Sequence, residues 1–292
     1  MTSGTGNGPG SDARFFYGCA SGIFSGMTVA RFRKIVWDHY RKHGRHDMAW
    51  RHTRDPYRIV VSEVMLQQTQ VARVAEKYPA FIAAFPSFAA LAAADQGDVL
   101  AAWQGLGYNR RGMYLKRLAE EVIGRHGGVL PRIPEELEKL PGIGPATARS
   151  IAAFAFNAPV VFIETNVRSV FIREFFPDAV SVRDSEIVPL AEAAMPRGKS
   201  REWYWALMDY GAHIKANNKN PSQRSAHHAK QKPFAGSDRE VRGKIVKLLI
   251  ERSPRTIGEL REASSSAGKI RDNLKRLVAE GMIRKKGGAF AA

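Results

Sequence analysis

Apolar residues recur at helical spacing from Met27 to about Phe234, and no alternating stretch longer than a few residues interrupts them. A chain with that pattern has no long strands to pair, so its main body is expected to be all-α. VARFRKIVWDHYRKH sets Phe32, Ile35, Val36 and Tyr40 on one face, and YRIVVSEVMLQQTQVARVAEKYPAFIAAF reads as a longer run of similar spacing. Glycine and proline punctuate the pattern at Phe85-Pro86, Gly105-Leu106-Gly107, Gly127-Gly128, Leu130-Pro131 and Pro141-Gly142.

The flanks differ from this body. Residues 1–26 are rich in Gly, Ser and Thr, lack a basic-then-apolar secretory pattern, and read as a disordered extension. Residues 27–214 form the main domain. Residues 215–237 are polar, basic and nearly free of aliphatic side chains, as in a linker or an arm laid on another surface. Over 238–292 the pattern predicts a helix (DREVRGKIVKLLIER), a short one (TIGELREA) and a third (AGKIRDNLKRLVAEG) capped from Ser264–Ser266. MIRKKGGAF then reads as two short strands around Lys285-Lys286-Gly287-Gly288. Three helices closed by a hairpin outline a small winged-helix (α+β) domain.

Charge narrows the partner. The 292 residues carry 45 Lys and Arg against 28 Asp and Glu, a formal net charge of +17. Residues 197–286 alone hold 22 basic and 9 acidic side chains. Such a surplus predicts a polyanion, either nucleic acid or an anionic membrane. No apolar stretch reaches the roughly 18 residues needed to span a bilayer, so double-stranded DNA is the expected partner. A single cysteine, Cys19, excludes an internal disulfide and any four-cysteine zinc or iron–sulfur site. That composition fits a reducing cytoplasm.

Three segments carry chemistry. In LPGIGPATARSIAAFAF, Gly142 and Gly144 bracket one apolar residue between two helical patterns, the turn of a helix-hairpin-helix. Backbone N–H groups at the start of the second helix can meet a DNA phosphate there; a plain glycine-rich connector would look the same. In VVFIETNVRSVFIREFF, Glu164 leaves an apolar run just before a new helix, where a carboxylate can stabilise an oxocarbenium-like sugar. An ordinary helix N-terminal acid would also sit there. In SEVMLQQTQV, Glu63 precedes an apolar Val-Met-Leu stripe, surroundings that raise a carboxyl pKa and suit proton donation. Gln67, Gln68 and Gln70 follow, able to read base edges or to form a solvated helix face.

Together AWRHTRDPYRIVVSEVMLQQTQV, GLGYNRRGMYL, LPGIGPATARSI and ETNVRSV, followed by WALMDYGAHI, resemble MutY-type adenine DNA glycosylases of the helix-hairpin-helix superfamily over roughly residues 28–214. The resemblance implies an all-α helix-hairpin-helix glycosylase fold. It also implies monofunctional removal of a mispaired or damaged base, most simply adenine, after the base flips out of the duplex. By resemblance Glu63 protonates the departing base, Glu164 is the second catalytic carboxylate, and Gln67, Gln68 and Tyr108 lie at the lesion pair. Gly142, Gly144 and Thr147 of the hairpin, with Asn166 and Arg168 of ETNVRSV, complete the expected DNA-contacting set. Arg271, Lys275, Lys285 and Lys286 of the C-terminal unit are expected to meet phosphates, as are Lys215, Lys219, Arg224 and Lys230 of the arm.

The departures are equally specific. The family has Asp where this chain has Glu164; one methylene moves the carboxylate on the order of 1 Å. Ala146 stands where endonuclease III relatives carry a Schiff-base lysine, so strong lyase activity is not expected. The four iron–sulfur cysteines that follow Asp209-Tyr210-Gly211 in the family are missing, so no cluster and no other metal is expected. A winged helix stands where the family has a Nudix-like domain. The chain is expected to act as a monomer, in the cytoplasm on nucleoid DNA. A thymine, uracil or other modified-base glycosylase on the same fold, and a non-catalytic DNA-binding or regulatory protein, remain open.

Overall fold

A computed structural model describes residues 26–217, 219–228 and 233–292. The expected N-terminal extension, Cys19 and Lys230 fall outside the described residues. Each early helix starts on a side-chain cap. Thr28 accepts from the Arg31 amide to open α1 (Val29–His43), and Asp55 accepts from the Tyr57 amide to open α2 (Pro56–Leu66), with Pro56 in the first turn. The apolar run through residues 57–85 is not one helix. It breaks at residues 67–70 into α2 and α3 (Val71–Ala84), and Gln68 at the break has a left-handed φ of +55°. Arg111 explains the break: its guanidinium gathers the last carbonyls of α2 (Val64, Met65) and that of Gln67, so the helix ends on a side chain instead of continuing.

Short helices α4 (Phe88–Ala93) and α5 (Gln96–Ala102) lead to α6 (Arg110–His126), which ends at left-handed Gly127. A single turn, α7 (Pro134–Leu137), and α8 (Pro145–Phe156) flank the hairpin. Then come α9 (Thr165–Phe175), α10 (Asp184–Ala194) and α11 (Ser200–Asn217). Helices α1, α9, α10 and α11 pack together, while α2 lies against α3, α6 and α8. One apolar core runs through both groups, with Phe32 and Val36 of α1, Val60 and Met65 of α2, Ile151 of α8 and Trp203 of α11 buried in it. Trp203 meets the rings of Phe32 and Trp37 at 5.9 and 5.4 Å. Asp209 on α11, 3% exposed, accepts from Arg51 and Arg45, which ties the chain ahead of α2 to the last helix of the main body.

The C-terminal unit has the element order of a winged helix: α12 (Asp238–Glu251), β1 (Arg255–Thr256), a 3-10 turn at Arg261–Ala263, α13 (Ala267–Ala279), β2 (Arg284–Lys286) and β3 (Ala289–Ala291). The sheet is antiparallel in the order β1-β3-β2, with Lys285 opposite Phe290. Three expectations are corrected here. The segment TIGELREA is largely turn, a third strand (β1) joins the hairpin, and Lys285 and Lys286 lie in β2 while Gly287 makes the turn at φ +55°. The unit is not independent of the body. Its core of Val241, Ile245, Leu274 and Leu277 takes in Leu100 of α5 and Met113 of α6, and Gln96 donates to the Met282 carbonyl at 2.7 Å.

Candidate active site and nucleic-acid interface

Two polar rungs join α2 to α8. Glu63 on α2 and Gln67, the residue that ends that helix, are four apart, and Thr147 and Ser150 are three apart on one face of α8. Ser150 Oγ lies 2.6 Å from Glu63 Oε2, and Gln67 Nε2 donates to Thr147 Oγ1 at 3.1 Å. The surrounding Val60, Val64 and Ile151 are buried. Glu63 itself is partly exposed. Burial pushes the Glu63 carboxyl up to about 7; the Ser150 hydroxyl draws it back, and the charge of Glu164 raises it further.

Glu164 is the N-cap of α9. Its Oε1 accepts from the backbone amides of Asn166 and Val167 at 2.7 and 2.8 Å, and Oε2 accepts from Asn166 Nδ2 at 3.1 Å. The carboxylate is thus held by the helix end whose partial positive charge favours an anion. Glu164 is therefore a helix N-terminal acid, and the cap fixes its side chain in place. Gly211 of α11 makes this possible. A Cβ there would lie 2.5 Å from the Asn166 carbonyl oxygen, so only glycine lets α11 press against the start of α9. Lys215, one turn further along α11, is half-buried near Glu164, and burial draws its ammonium below the ordinary lysine range.

In the hairpin, Gly142 adopts φ +77°, and a Cβ there would meet the Tyr114 side chain at 2.7 Å, so the position demands glycine. Gly144 caps α8 at an ordinary φ of −97°, with open space where a Cβ would point. It leaves the head of α8 unobstructed for an anion without shaping the turn.

Gln67, Gln68 and Tyr108 line one cleft of about 950 Å³ together with Arg73, Arg110, Arg111, Tyr114 and Gly142; Phe234, Arg239, Arg242 and Met282 close it from the C-terminal side. Glu63 and Glu164 are not in its lining, although Val64 on the same helix as Glu63, and Gln67 at the end of that helix, are. The Tyr108 ring has Arg111 and Arg239 guanidinium groups 5.5 and 5.7 Å from its centre, and its hydroxyl accepts from Arg239 at 2.7 Å.

Other expected contacts sit differently. Arg168 forms a forked ion pair with Asp184, both N···O distances 2.7 Å, bracing α9 to α10. Arg224 donates to the carbonyls of Phe176, Pro177 and Ala179 at 2.8, 2.8 and 2.9 Å. Its Nη1 is thus engaged by the chain that leaves α9, a packing role the sequence did not suggest. The arm is correspondingly anchored: Val182 and Ser225 form a parallel bridge, with Val182 donating to Arg224 and Ala226 to Val182. Arg271, Lys275, Lys285 and Lys286 are exposed. An iron–sulfur cluster does not fit this chain, whose one cysteine cannot supply four thiolates. Among the described residues no group of three or more His, Cys, Asp or Glu is arranged to hold a metal, and no helix is long and apolar enough to cross a membrane.

Sequence reasoning passed over three residues. Arg111 stands in the GLGYNRRGMYL segment, and its partners Val64, Met65 and Gln67 lie 44 to 47 residues away. Ser150 and Arg239 gave no signal, since their partners lie 87 and 131 residues away.

The chain is 34% identical to an adenine DNA glycosylase of Mycolicibacterium smegmatis, over 91% of this chain and 96% of the relative. That span necessarily reaches into the C-terminal unit. It is also 32% identical to a thymine/uracil-DNA glycosylase of Methanothermobacter thermautotrophicus, over 60% of this chain and 80% of that one. A solved thermostable thymine-DNA glycosylase superposes with a TM-score of 0.57 at 27% identity, covering 67% of this chain and 93% of that chain. An endonuclease III–DNA complex shares the fold at TM-score 0.52 and 19% identity, over 71% and 91% of the two chains. The HhH-GPD model, described as the HhH-GPD superfamily base excision DNA repair protein, matches residues 61–242. The chain belongs to the HhH-GPD superfamily of base excision DNA repair proteins.

Proposed function

We propose that this protein is a monofunctional DNA glycosylase that hydrolyses the N-glycosidic bond of a base flipped from a mispaired or damaged duplex, with adenine the preferred leaving base. The observation that carries the reading is the pair of carboxyls in opposite settings. Glu63 is partly buried among apolar side chains and holds its proton near neutrality, whereas Glu164 is held at a helix N-terminus. A carboxyl kept protonated by burial suits the acid's role, and one fixed at a helix end suits the stabilisation of a developing positive charge. Glu63 donates its proton to the base as the C1′–N bond breaks. Glu164 faces the positive charge that develops on the sugar, and water supplies the hydroxyl at C1′. Ala146 offers no amine at the hairpin for a Schiff base, so strand scission does not follow excision.

The adenine assignment is supported by the Mycolicibacterium relative, whose alignment runs along nearly the whole of both chains. The described basic surface, with Arg271, Lys275, Lys285 and Lys286 exposed, supports a duplex partner. The protein works without an iron–sulfur cluster or other metal, as a monomer, on nucleoid DNA in the cytoplasm. The main body, the arm and the C-terminal unit act as one DNA-binding surface.

A panel of duplexes, each with one mismatch or damaged base, incubated with protein and then hot alkali, tests the proposal. Adenine removal should give breaks only after alkali. Breaks at a mismatched thymine or uracil alone would move the substrate to the other relatives' class, and breaks before alkali would overturn the monofunctional assignment.

A further inference from the structure

We propose that Ser150 is a positioning residue that holds the Glu63 carboxyl in both of its protonation states, handing one hydrogen bond back and forth as the proton leaves. Ser150 is 4% exposed, and its Oγ lies 2.6 Å from Glu63 Oε2 and 3.0 Å from the Thr147 carbonyl oxygen. A hydroxyl has one hydrogen and two acceptor lone pairs, so it cannot donate fully to both. The two contacts therefore describe two states. With Glu63 ionised, Ser150 donates to the carboxylate. With Glu63 protonated, the carboxyl donates to Ser150 Oγ, and Ser150 turns its hydrogen to Thr147, the carbonyl one helical turn back. Neither state leaves the Ser150 hydroxyl unpaired, and the swap needs only rotation about the Ser150 Cβ–Oγ bond. The Thr147 side chain is itself held by Gln67, whose Nε2 donates to Thr147 Oγ1 at 3.1 Å, so the residue that supplies the second acceptor is tied across to the end of α2.

The other charged groups around Glu63 do not serve this role. Glu164, at the head of α9, is felt at Glu63 but as a like charge. Lys215 of α11 feels Glu164. Arg111 of α6 is committed to backbone carbonyls, and Arg51, ahead of α2, to Asp209. On α3, Arg73 donates to the Gly105 carbonyl, while Glu76 and Lys77 pair with each other. Ser150 is the neutral group that meets the carboxyl directly. A general acid buried beside a fixed cation would be held ionised; beside an apolar residue its carboxylate would have no donor to stabilise it once the proton had left. A hydroxyl that serves both states allows the proton to leave and return within one turnover.

The inference rests on the glycosylase reading for its kinetic consequence but not for its physical test. Protein labelled with carboxyl-13C glutamate is titrated by NMR without DNA, the Glu63 resonance being assigned by its loss in Glu63→Gln. Removing Ser150 costs the ionised state a charge-assisted hydrogen bond and the neutral state an ordinary one. The Glu63 midpoint should therefore rise by about half to one pH unit in Ser150→Ala and return to the parent value in Ser150→Thr. An unmoved midpoint in Ser150→Ala overturns the proposal. Single-turnover excision on the best duplex of the panel then supplies the kinetic arm. The same upward displacement should appear in the alkaline limb of the pH profile, with the plateau rate lowered about tenfold by loss of aim. A uniform fall at every pH with no displacement assigns Ser150 a merely structural role. Titration shifts without excision of any base would leave the hydrogen-bond exchange standing and fail the glycosylase reading instead.

Discussion

Arg239 of α12 donates to the Tyr108 hydroxyl at 2.7 Å and lies over the ring of that residue, so the C-terminal unit reaches into the cleft lined by Gln67 and Gln68. This pairing separates two roles for the unit. Arg239→Ala should bring the excision ratio between best and second-best duplex towards one. The double change Arg271→Ala, Lys275→Ala should instead weaken all duplexes alike and flatten the salt dependence, by roughly 0.9 in log–log slope for each phosphate no longer neutralised. A preserved ratio in Arg239→Ala would reduce the unit to a clamp. Point substitutions serve better than removal of residues 238–292, which would strip Leu100 and Met113 of their cover.

Glu63→Gln and Glu164→Gln should each lower single-turnover excision at least about 10²-fold with duplex affinity nearly unchanged. Their stabilities should differ. Glutamine at 164 removes the charge that meets the Asn166 and Val167 amides, and Glu164→Ala should cost about 1 kcal/mol by removing the cap. Glu164→Asp keeps a good cap while withdrawing the carboxylate, so it should retain the fold. Denaturant melts beside excision rates check both statements, and parent-rate cutting by Glu164→Gln would remove that carboxylate from the mechanism.

Excision under saturating enzyme should be level below neutrality and fall about tenfold per pH unit above about 7, as Glu63 loses its proton. The same group gives a stability signature. Its folded-state pKa is raised, so the native state holds the proton more tightly than the unfolded chain does. Stability is therefore lost as pH rises from about 4.5 through about 7. Glu63→Gln should be more stable than the parent at pH 8, by on the order of 1–3 kcal/mol, with the gap closing below about pH 4.5. Equal stabilities across that range would mean that the carboxyl is well solvated.

Arg224→Ala should destabilise the fold by about 1–3 kcal/mol, because three carbonyls following α9 lose a shared donor. Its salt slope for DNA binding should match the parent's. A parent-like melt with a flatter slope would return Arg224 to the DNA-facing cations.

Gly211→Ala should lower excision at least about tenfold while binding persists, since the added methyl must push α9, and Glu164 with it, off α11. Parent activity in this variant would show that the head of α9 has room to spare.

What the sequence determined by itself is local. Helical spacing, Asp55-Pro56, the Gly142 turn and the acid ahead of Thr165 depend on backbone preferences within a turn or two, and they placed Glu63 and Glu164 on their elements. It also determined that no four-thiolate site can form, because donor types are counted in sequence. The tertiary structure decided whatever needs a distant partner. Arg168 meets Asp184 and Arg224 meets the end of α9, so two cations that read as DNA contacts also brace the packing. The break after α2 arises because Arg111, over forty residues away, outcompetes helix continuation for the carbonyls there. Ser150 beside Glu63 follows the same logic: helical periodicity tells which face a residue occupies, and only the packing of α2 on α8 tells what that face meets.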